Sequence, residues 1–287
     1  MIRLLGRVAQ PIRRLQFSTQ TSKDEILQRE LYLDNQVVRL VFNSEKKRNA
    51  LSLEFMETLH NELAEIDKIQ KVRAVILAAN GPAFSAGHDL RQLTGESGTP
   101  KHKEVFAQCT KLLTLIRTMQ LPVIAEVEGL ATAAGCQLVC SCDIVVASEN
   151  STFSVPGLKV GLFCSTPSIP LCRVIPSKLA MDMLLTARFI TAKEAHQTGL
   201  VSRLTPSGRA RVEAIRVCEE IVKTSRSVTA LGKAFYYAQI EMPLADAYRV
   251  GEKVMVENLR YKDGQEGIDS FIKKRHPTWS HEDERVL

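Results

Sequence analysis

A run of small residues between two apolar stretches is the part of this sequence with the clearest chemical potential. Ala131 to Gly135 follows the apolar stretch Pro122 to Val127 and precedes Leu138 to Cys140. A helix beginning near Ala133 would have first amide hydrogens without an intrahelical acceptor. Such amides suit a carbonyl oxygen that gains negative charge during a reaction, and small side chains allow its close approach. A strand-to-helix connection that is tightly packed through small residues is the alternative interpretation.

The overall composition is that of an ordinary globular protein. The chain has 287 residues, of which 45% are hydrophobic and 24% are charged. This length accommodates one large domain or a core with an appendage. No apolar run in the sequence reaches the roughly 18 residues that a membrane span needs. The net charge of +6 includes four arginines in residues 1–22, and removing them leaves 6 − 4 = +2. The charge balance therefore does not indicate a nucleic-acid partner.

Residues 1–22 have the pattern of a mitochondrial transit peptide. Arginines are spaced among apolar residues, acidic residues are absent, and a Ser/Thr-rich stretch follows from Phe17 to Ser22. A disordered basic tail is the alternative. The transit peptide predicts a location in the mitochondrial matrix. We expect a folded core over residues 28–208 and a helical region over residues 209–287.

The seven cysteines do not form a pattern of paired half-cystines. Cys136 and Cys140 are one helical turn apart and Cys142 follows closely, which is a spacing that could bind a metal. Their surroundings are apolar and lack a nearby histidine, so cysteine is expected to behave as a small hydrophobic residue. We therefore expect no metal site and, in a reducing compartment, no disulfides.

The order of elements predicts an α/β fold with a parallel or mixed sheet covered by helices. Strands alternate with small-residue corners and helices, and a second such corner lies at Phe84 to Asp89. The polar stretch Thr94 to Lys103 is predicted to be a mobile loop. No dinucleotide fingerprint, phosphate-binding loop or nucleophile elbow occurs in the sequence. From Arg209 onward helices are predicted over Val212 to Lys223, Val228 to Ile240, Leu244 to Leu259 and Gly267 to Lys274.

The two corners together resemble the oxyanion-hole motifs of the crotonase (enoyl-CoA hydratase/isomerase) superfamily. Phe84 to Leu90 resembles the first motif and Glu128 to Cys136 the second. The similarity covers roughly residues 30–275, with later segments at Cys142 to Ala147, Thr191 to Ser202 and Gly267 to Arg275. It implies an α/β spiral of ββα units, followed by a C-terminal helical trimerisation region. A homotrimer or a dimer of trimers is the expected assembly.

The resemblance also implies the ligand and the residues that bind it. The ligand would be an acyl-coenzyme A thioester, with no separate cofactor, and its carbonyl would accept hydrogen bonds from the backbone amides of His88 and Ala134. Lys46, Lys47 and Arg91 lie where the family commonly places cations against the coenzyme A phosphates. Lys274 matches a lysine that reaches the nucleotide, in some members from a neighbouring subunit. For each cation the alternative is an ordinary solvated surface charge.

The sequence departs from the family at the two glutamates that hydratases use for acid–base chemistry. Their positions fall at Gln137 and Gly157. A glutamine amide neither gains nor loses a proton near neutral pH, and glycine has no side chain. Because one positioned acid or base contributes roughly a hundred- to ten-thousand-fold in rate, hydration is expected to be weak or absent. Cys164 and Ser165 would line the acyl pocket, whereas Glu126 and Glu128 match no catalytic position of the family.

The sequence therefore predicts a mitochondrial protein of this superfamily that binds fatty acyl-CoA thioesters and acts in fatty-acid metabolism. Whether it is an enzyme stays open, since the hydratase glutamate pair is missing. One alternative is different CoA-thioester chemistry, such as isomerase, thioesterase or decarboxylase activity with the retained oxyanion hole. The other alternative is a non-catalytic acyl-CoA sensor or regulatory partner.

Overall fold

A computed structural model describes residues 18–19 and 25–287, so most of the predicted transit peptide lies outside the described residues. The strands are β1 (Ser18–Thr19), β2 (Leu27–Tyr32), β3 (Val37–Phe42), β4 (Ala74–Ala79), β5 (Ala83–Ser85), β6 (Val123–Val127), β7 (Leu130–Thr132), β8 (Ile144–Ser148), β9 (Thr152–Ser154), β10 (Ile190–Thr191) and β11 (Arg203–Thr205). The α-helices are α1 (Leu53–Asp67), α2 (Gly98–Thr118), α3 (Ala134–Ser141), α4 (Ser165–Val174), α5 (Ser177–Thr186), α6 (Ala192–Thr198), α7 (Ala210–Ile221), α8 (Arg226–Gln239), α9 (Leu244–Arg260) and α10 (Lys262–Ile272).

Two sheets wind along the chain as a spiral. The larger sheet has the order β1-β2-β3-β4-β6-β8-β11, and the smaller one has the order β10-β9-β7-β5. Each turn of the spiral places one strand in the larger sheet and the next in the smaller sheet before a helix follows: β4, β5 and α2, then β6, β7 and α3. The pairs β4/β6, β6/β8, β5/β7 and β7/β9 are all parallel. The predicted α/β spiral of ββα units is confirmed.

Apolar residues bury both faces of the larger sheet. Strand β4 is buried along nearly its whole length, as a strand covered on both sides must be. On one face it packs with α1, whose amide at Phe55 is capped by the Ser52 hydroxyl at 3.2 Å. On the other face Ala214 and Ile215 of α7 pack against Ile76 and Ile124.

A buried ion pair crosses the α7 face of this sheet. Arg39 on β3 donates to both carboxylate oxygens of Glu126 on β6, at 2.8 and 2.6 Å. Arg39 also donates to Glu30 at 3.0 Å, and Glu30 accepts from Arg211 of α7 at 2.7 Å. The network ties three strands and one helix together, and the charges of Arg39 and Glu126 at its centre are almost fully removed from water.

Two predictions of local structure are wrong. The predicted mobile loop over Thr94 to Lys103 is a 3-10 turn followed by the first turns of α2, which begins at Gly98. Pro100 lies in the first turn of that helix, where a missing amide hydrogen costs little, so it does not stop the helix. Helix α10 begins at Lys262, five residues before the predicted Gly267.

The C-terminal helices leave many apolar side chains in water in the single chain. Leu244 and Tyr248 of α9 are 73% and 69% exposed, and Phe271 and Ile272 of α10 are 85% and 72% exposed. Across the described part of the chain, every helix is too short or too polar to cross a bilayer.

Candidate functional site

The two small-residue corners lie against each other. Gly87 has a φ of +89°, and a Cβ built on it would stand 2.8 Å from the Cβ of Ala133 and 3.1 Å from the amide nitrogen of Ala134. A Cβ on Gly135 would stand 2.4 Å from the carbonyl oxygen of Ser85. Both glycines are therefore required for the contact, which brings the amides of residues 88 and 134 to one place.

The amides of His88 and Ala134 are both available to a ligand. Ala134 is the first residue of α3, so its amide has no intrahelical acceptor and lies at the positive end of the helix. The amide of His88 has no hydrogen-bond acceptor among the described residues. Ala133 has φ +50° and ψ −121°, a backbone conformation uncommon for a residue with a side chain, and it turns the chain into α3. Two unpaired backbone donors in one place suit a carbonyl oxygen that gains negative charge.

The loop that precedes α1 fixes the first corner in position. The Leu51 amide donates to the carbonyl of Gly87 at 2.8 Å, and the Ala86 amide donates to the carbonyl of Arg48 at 3.0 Å. Asn49 is fully buried, and its amide group donates to the carbonyls of Asn80 and Ala83 at 2.9 and 2.7 Å. Sequence reasoning missed Asn49, although an asparagine within a run of lysines and an arginine is the kind of residue that adopts a positive φ, here +51°.

An apolar cavity of about 430 Å³ opens at these two amides. His88, Ala134 and Gly157 line it together with Cys164 and Ser165. The remaining lining is mostly apolar: Leu90, Leu93, Phe106, Pro156, Val160, Leu162, Phe163 and Pro167. The geometry combines donors for one carbonyl oxygen with a hydrocarbon environment for the chain attached to it.

Gln137 lies one turn into α3 and does not line the cavity. Its side chain is only 5% exposed, and its Oε1 has no hydrogen-bond donor within the part of the chain that the structure describes. A neutral amide in this place can accept or donate hydrogen bonds but cannot exchange a proton near neutral pH. The residue is therefore a buried polar group, one helical turn from Ala134, without acid–base capacity.

Gly157 faces the thiol of Cys164 across the cavity wall. The Gly157 amide donates to the Cys164 sulfur at 3.3 Å. A Cβ on Gly157 would stand 2.4 Å from the carbonyl oxygen of Leu162 and 2.7 Å from that sulfur. The space that a side chain at 157 would occupy is thus already taken by the segment that follows it. Burial raises the pKa of the Cys164 thiol, so the group is a neutral thiol at neutral pH.

Replacing Gly157 with alanine should destabilise the fold. The added methyl group meets a backbone oxygen and a buried sulfur, and overpacking of this kind typically costs about 1–3 kcal/mol. Gly95→Ala is the matched control, because Gly95 also lies in a 3-10 turn and a Cβ there has no heavy atom within 4 Å. Urea denaturation should show a clearly lower free energy of unfolding for Gly157→Ala than for the native protein, and little change in that quantity for Gly95→Ala. Equal behaviour of the two variants would contradict the packing described here.

The side chain of His88 borders the cavity, although its Nε2 is enclosed by protein. Its Nδ1 lies 3.4 Å from the carbonyl oxygen of Leu51, and its Nε2 has no partner among the described residues. The ring stands edge-on to Phe106 with 5.3 Å between the ring centres. Burial lowers the pKa of His88, so the ring is neutral at neutral pH.

The lowered pKa of His88 predicts a pH dependence of stability. In the unfolded chain the imidazole takes up a proton near pH 6.5, whereas in the folded chain it does so only at lower pH. Stability should therefore fall as the pH drops from 7 through this window, because the unfolded state binds more protons. The free energy of unfolding, measured by urea titration at pH 7 and at pH 5, should fall less for His88→Gln than for the native protein. His281 also has a lowered pKa, but it contributes equally to both proteins.

Three of the four predicted phosphate-binding cations lie near the first corner. Lys46 and Lys47 are exposed in the 3-10 turn before Asn49. Arg91 donates to both carboxylate oxygens of Asp89 at 2.9 and 2.6 Å, so a phosphate would have to share this arginine. These hydrogen bonds lower the pKa of Asp89, with a smaller effect from the charge of Lys47. Lys274 follows α10 and does not line the cavity.

The other acidic residues and the cysteines near α3 have structural roles. Glu126 is held by Arg39, and Glu128 accepts from the Ala210 amide at 3.2 Å. Cys136, Cys140 and Cys142 are all buried as free thiols. Burial raises the pKa of Cys142 far above the ordinary range of a thiol. These groups therefore stabilise the fold around α3.

Comparison with known proteins agrees with this geometry. The profile of the enoyl-CoA hydratase/isomerase family matches residues 33–282. This chain belongs to the enoyl-CoA hydratase/isomerase (crotonase) family. The match spans the spiral and the C-terminal helices of this family member.

The relatives of this crotonase-family chain include mitochondrial proteins. It is 48% identical over 242 residues to the rat protein (Rattus norvegicus) named enoyl-CoA hydratase domain-containing protein 3, mitochondrial, covering 84% of this chain and 81% of the relative. The Xenopus laevis protein of that name is 49% identical over 251 residues, covering 88% and 85%.

Solved structures of the family superpose on most of the chain. The crystal structure of human enoyl-CoA hydratase domain-containing protein 3 has a TM-score of 0.84 at 43% identity, covering 92% of this chain and 99% of that one. An enoyl-CoA hydratase from Mycobacterium smegmatis has a TM-score of 0.86 at 38% identity, covering 89% and 99%.

Proposed function

We propose that this crotonase-family protein binds fatty acyl-CoA thioesters and acts in fatty-acid metabolism without efficient enoyl-CoA hydratase activity. The observation that carries the proposal is the pair of ligand-free donors, the amides of His88 and Ala134, at the mouth of an apolar cavity of about 430 Å³. A thioester carbonyl is the group that these two donors fit, and an acyl chain is the group that the cavity fits.

Weak hydration follows from the chemistry of the two positions where hydratases carry glutamates. Gln137 is a buried neutral amide, and Gly157 has no room for a side chain. Water addition needs one group to remove a proton from water and one to deliver a proton to the α-carbon. An oxyanion hole without these groups stabilises the enolate but does not move either proton.

A second candidate is different CoA-thioester chemistry, such as an isomerase or decarboxylase reaction, in which the same two backbone donors would stabilise an enolate. The neutral His88 ring borders the cavity, but its unpartnered Nε2 is enclosed by protein, so the ring is not placed to exchange a proton with the substrate α-carbon. The neutral Cys164 thiol disfavours the thioesterase alternative, because a thiolate is the nucleophilic form. A non-catalytic acyl-CoA sensor would use the same cavity and would be unaffected by loss of the imidazole.

The cellular and quaternary context of the proposal rests on separate observations. The transit-peptide pattern and the mitochondrial names of the relatives support action in the mitochondrial matrix. The exposed apolar side chains of α9 and α10 support a homotrimer or a dimer of trimers. In such an assembly Lys274 would approach the nucleotide of a neighbouring subunit, while Lys46, Lys47 and Arg91 would bind phosphates within the chain. Sedimentation equilibrium would test the assembly.

A cavity-narrowing variant tests the binding proposal. Ser165, the first residue of α4, lines the cavity with its side chain exposed, so Ser165→Trp should exclude about two methylene groups of the ligand. At ~0.8 kcal/mol per methylene group, the affinity for hexanoyl-CoA should fall roughly tenfold. Ser177→Trp is the matched control, since Ser177 is the exposed first residue of α5 and does not line the cavity.

Calorimetric titration with hexanoyl-CoA and with free CoA would measure both effects. Free CoA lacks the acyl chain, so neither substitution should change its affinity. A native protein that binds no acyl-CoA at millimolar concentration would overturn the proposal. So would an equal loss of hexanoyl-CoA affinity in the two tryptophan variants.

A further inference from the structure

A second large cavity, of about 790 Å³, lies at the opposite end of β4 from the thioester site. Arg73 directly precedes β4, whereas the chain that leaves the far end of β4 leads through β5 to His88. A six-residue strand spans roughly 20 Å, so the two cavities are separate. Arg73, Arg226 and His281 line this second cavity, which is predominantly polar.

The guanidinium of Arg73 is buried, and three of its five N–H donors have no acceptor among the described residues. Its side chain is only 8% exposed, and only Nη1 forms hydrogen bonds, to the backbone carbonyls of Gln70 and Val72. Neither Nε nor Nη2 donates to an acceptor among the described residues, and Nε is completely enclosed. Because Nε is enclosed, Nη2 is the unused donor of this guanidinium that remains accessible to an anion in the cavity.

The neighbouring Arg226 is also buried and donates to no carboxylate oxygen of the described residues. Burial lowers its pKa in spite of the nearby charge of Asp67. Arg226 is 5% exposed and is the first residue of α8. Its donors bind neutral oxygens only: the carbonyls of Val72 and Asp67 at 3.3 and 2.7 Å, and Oε1 of Gln120 at 2.7 Å. Buried cations in proteins are normally paired with an anion, because an uncompensated charge in a poorly solvated place is costly.

The acids around this cavity are engaged elsewhere. Asp263 is buried, and its oxygens accept from Ser225, from Ser280 and from the His281 amide at 2.6 to 2.9 Å. Glu282 and Asp283 are exposed and interact with the surface cations Lys262 and Arg285. Burial, followed by repulsion from Arg226, accordingly lowers the pKa of Arg73 in spite of Asp263.

Further donors converge on the same space. The Nδ1 of His281 accepts from the Arg226 amide at 3.3 Å, so the neutral ring carries its proton on Nε2 and is a donor there. Ser227 is the second residue of the 14-residue helix α8, and its amide has no intrahelical acceptor. The helix end adds positive potential to that of the two arginines.

We propose that this cavity binds a phosphate group, either as inorganic phosphate or as a phosphate monoester. The dianion would neutralise the two buried arginines, and one of its oxygens would accept from Nη2 of Arg73. Such a site lies outside the thioester cavity, so its occupancy is independent of acyl-CoA binding.

Thermal unfolding of the full chain with added phosphate tests this proposal. At constant ionic strength maintained with chloride, inorganic phosphate should raise the melting temperature saturably, since a ligand that binds only the folded state stabilises it. Methyl phosphate is the second arm, and a response to both anions indicates a site that accepts monoesters. Arg73→Gln should weaken phosphate binding roughly tenfold to a hundredfold, because it removes a charge-assisted hydrogen bond and one of the two buried positive charges. Lys68→Gln is the control, since Lys68 is an exposed cation paired with Glu65.

A second variant keeps the test decisive where Arg73→Gln fails to fold. Gln120→Glu would place a carboxylate on Arg226, supply an internal anion and abolish the phosphate response without loss of stability. Equal phosphate responses in the native, Arg73→Gln and Gln120→Glu proteins would overturn the proposal. The absence of a phosphate response in the native protein would overturn it as well. This outcome includes a melting temperature that depends only on protein concentration, which would indicate that a second copy of the chain covers the cavity.

Discussion

The native protein should hydrate crotonyl-CoA at least about ten-thousand-fold more slowly than a crotonase-family hydratase that carries both glutamates. Each positioned acid or base contributes roughly a hundred- to ten-thousand-fold, and under the proposed function Gln137 and Gly157 stand in the places of both. Loss of the enoyl absorbance under saturating substrate measures the rate. A turnover comparable to that of a glutamate-bearing hydratase would show that other groups perform the proton transfers.

Restoring the glutamates should succeed at one position only. Gln137→Glu is nearly isosteric and should fold, with at most a small gain in hydration. Gly157→Glu should unfold or distort the cavity wall, because its Cβ would stand 2.4 Å from the carbonyl oxygen of Leu162. The variant with both substitutions should therefore remain inactive. If the protein differed from a hydratase in these two side chains alone, the double variant would recover hydratase activity. Full activity of the double variant would mean that the segment of residues 157–164 rearranges easily.

The largest expected stability effect is the loss of the buried arginine on β3. Arg39→Met should destabilise the protein by about 3–5 kcal/mol, because it leaves the carboxylate of Glu126 buried without its partner. The free energy of unfolding from urea titration at pH 7 measures this loss. Arg39→Met combined with Glu126→Leu should recover much of the stability, since the uncompensated charge is gone. A double variant as unstable as Arg39→Met would show that the arginine acts through Glu30 and packing instead.

Much of the site could be predicted from the sequence because it is built from the backbone. The pattern of glycines and alanines along the sequence identifies the two corners at residues 84–90 and 128–136. The fold places these two corners against each other. The amides of His88 and Ala134 need no particular side chain, so a change of residue type does not hide them. The spiral could be anticipated in the same way, from strands that alternate with small-residue corners.

The features that the sequence could not reveal depend on contacts between distant segments. Whether Gly157 has room for a side chain depends on how residues 162–164 return to it. The unpaired state of Arg226 depends on Val72, which is 154 residues away in the chain. Local composition was misleading at Thr94 to Lys103, since glycine and proline are tolerated in the first turn of a helix as well as in loops.

The most direct test of the account is a saturation-transfer NMR measurement on the native protein with trans-2-hexenoyl-CoA. One sample reports both halves of the claim, because transfer to the enoyl protons detects binding and new 3-hydroxyacyl resonances detect hydration. We predict saturation transfer to the hexenoyl chain, with the enoyl resonances unchanged over hours. Absence of transfer at millimolar ligand, or rapid appearance of the 3-hydroxyacyl product, would contradict the account.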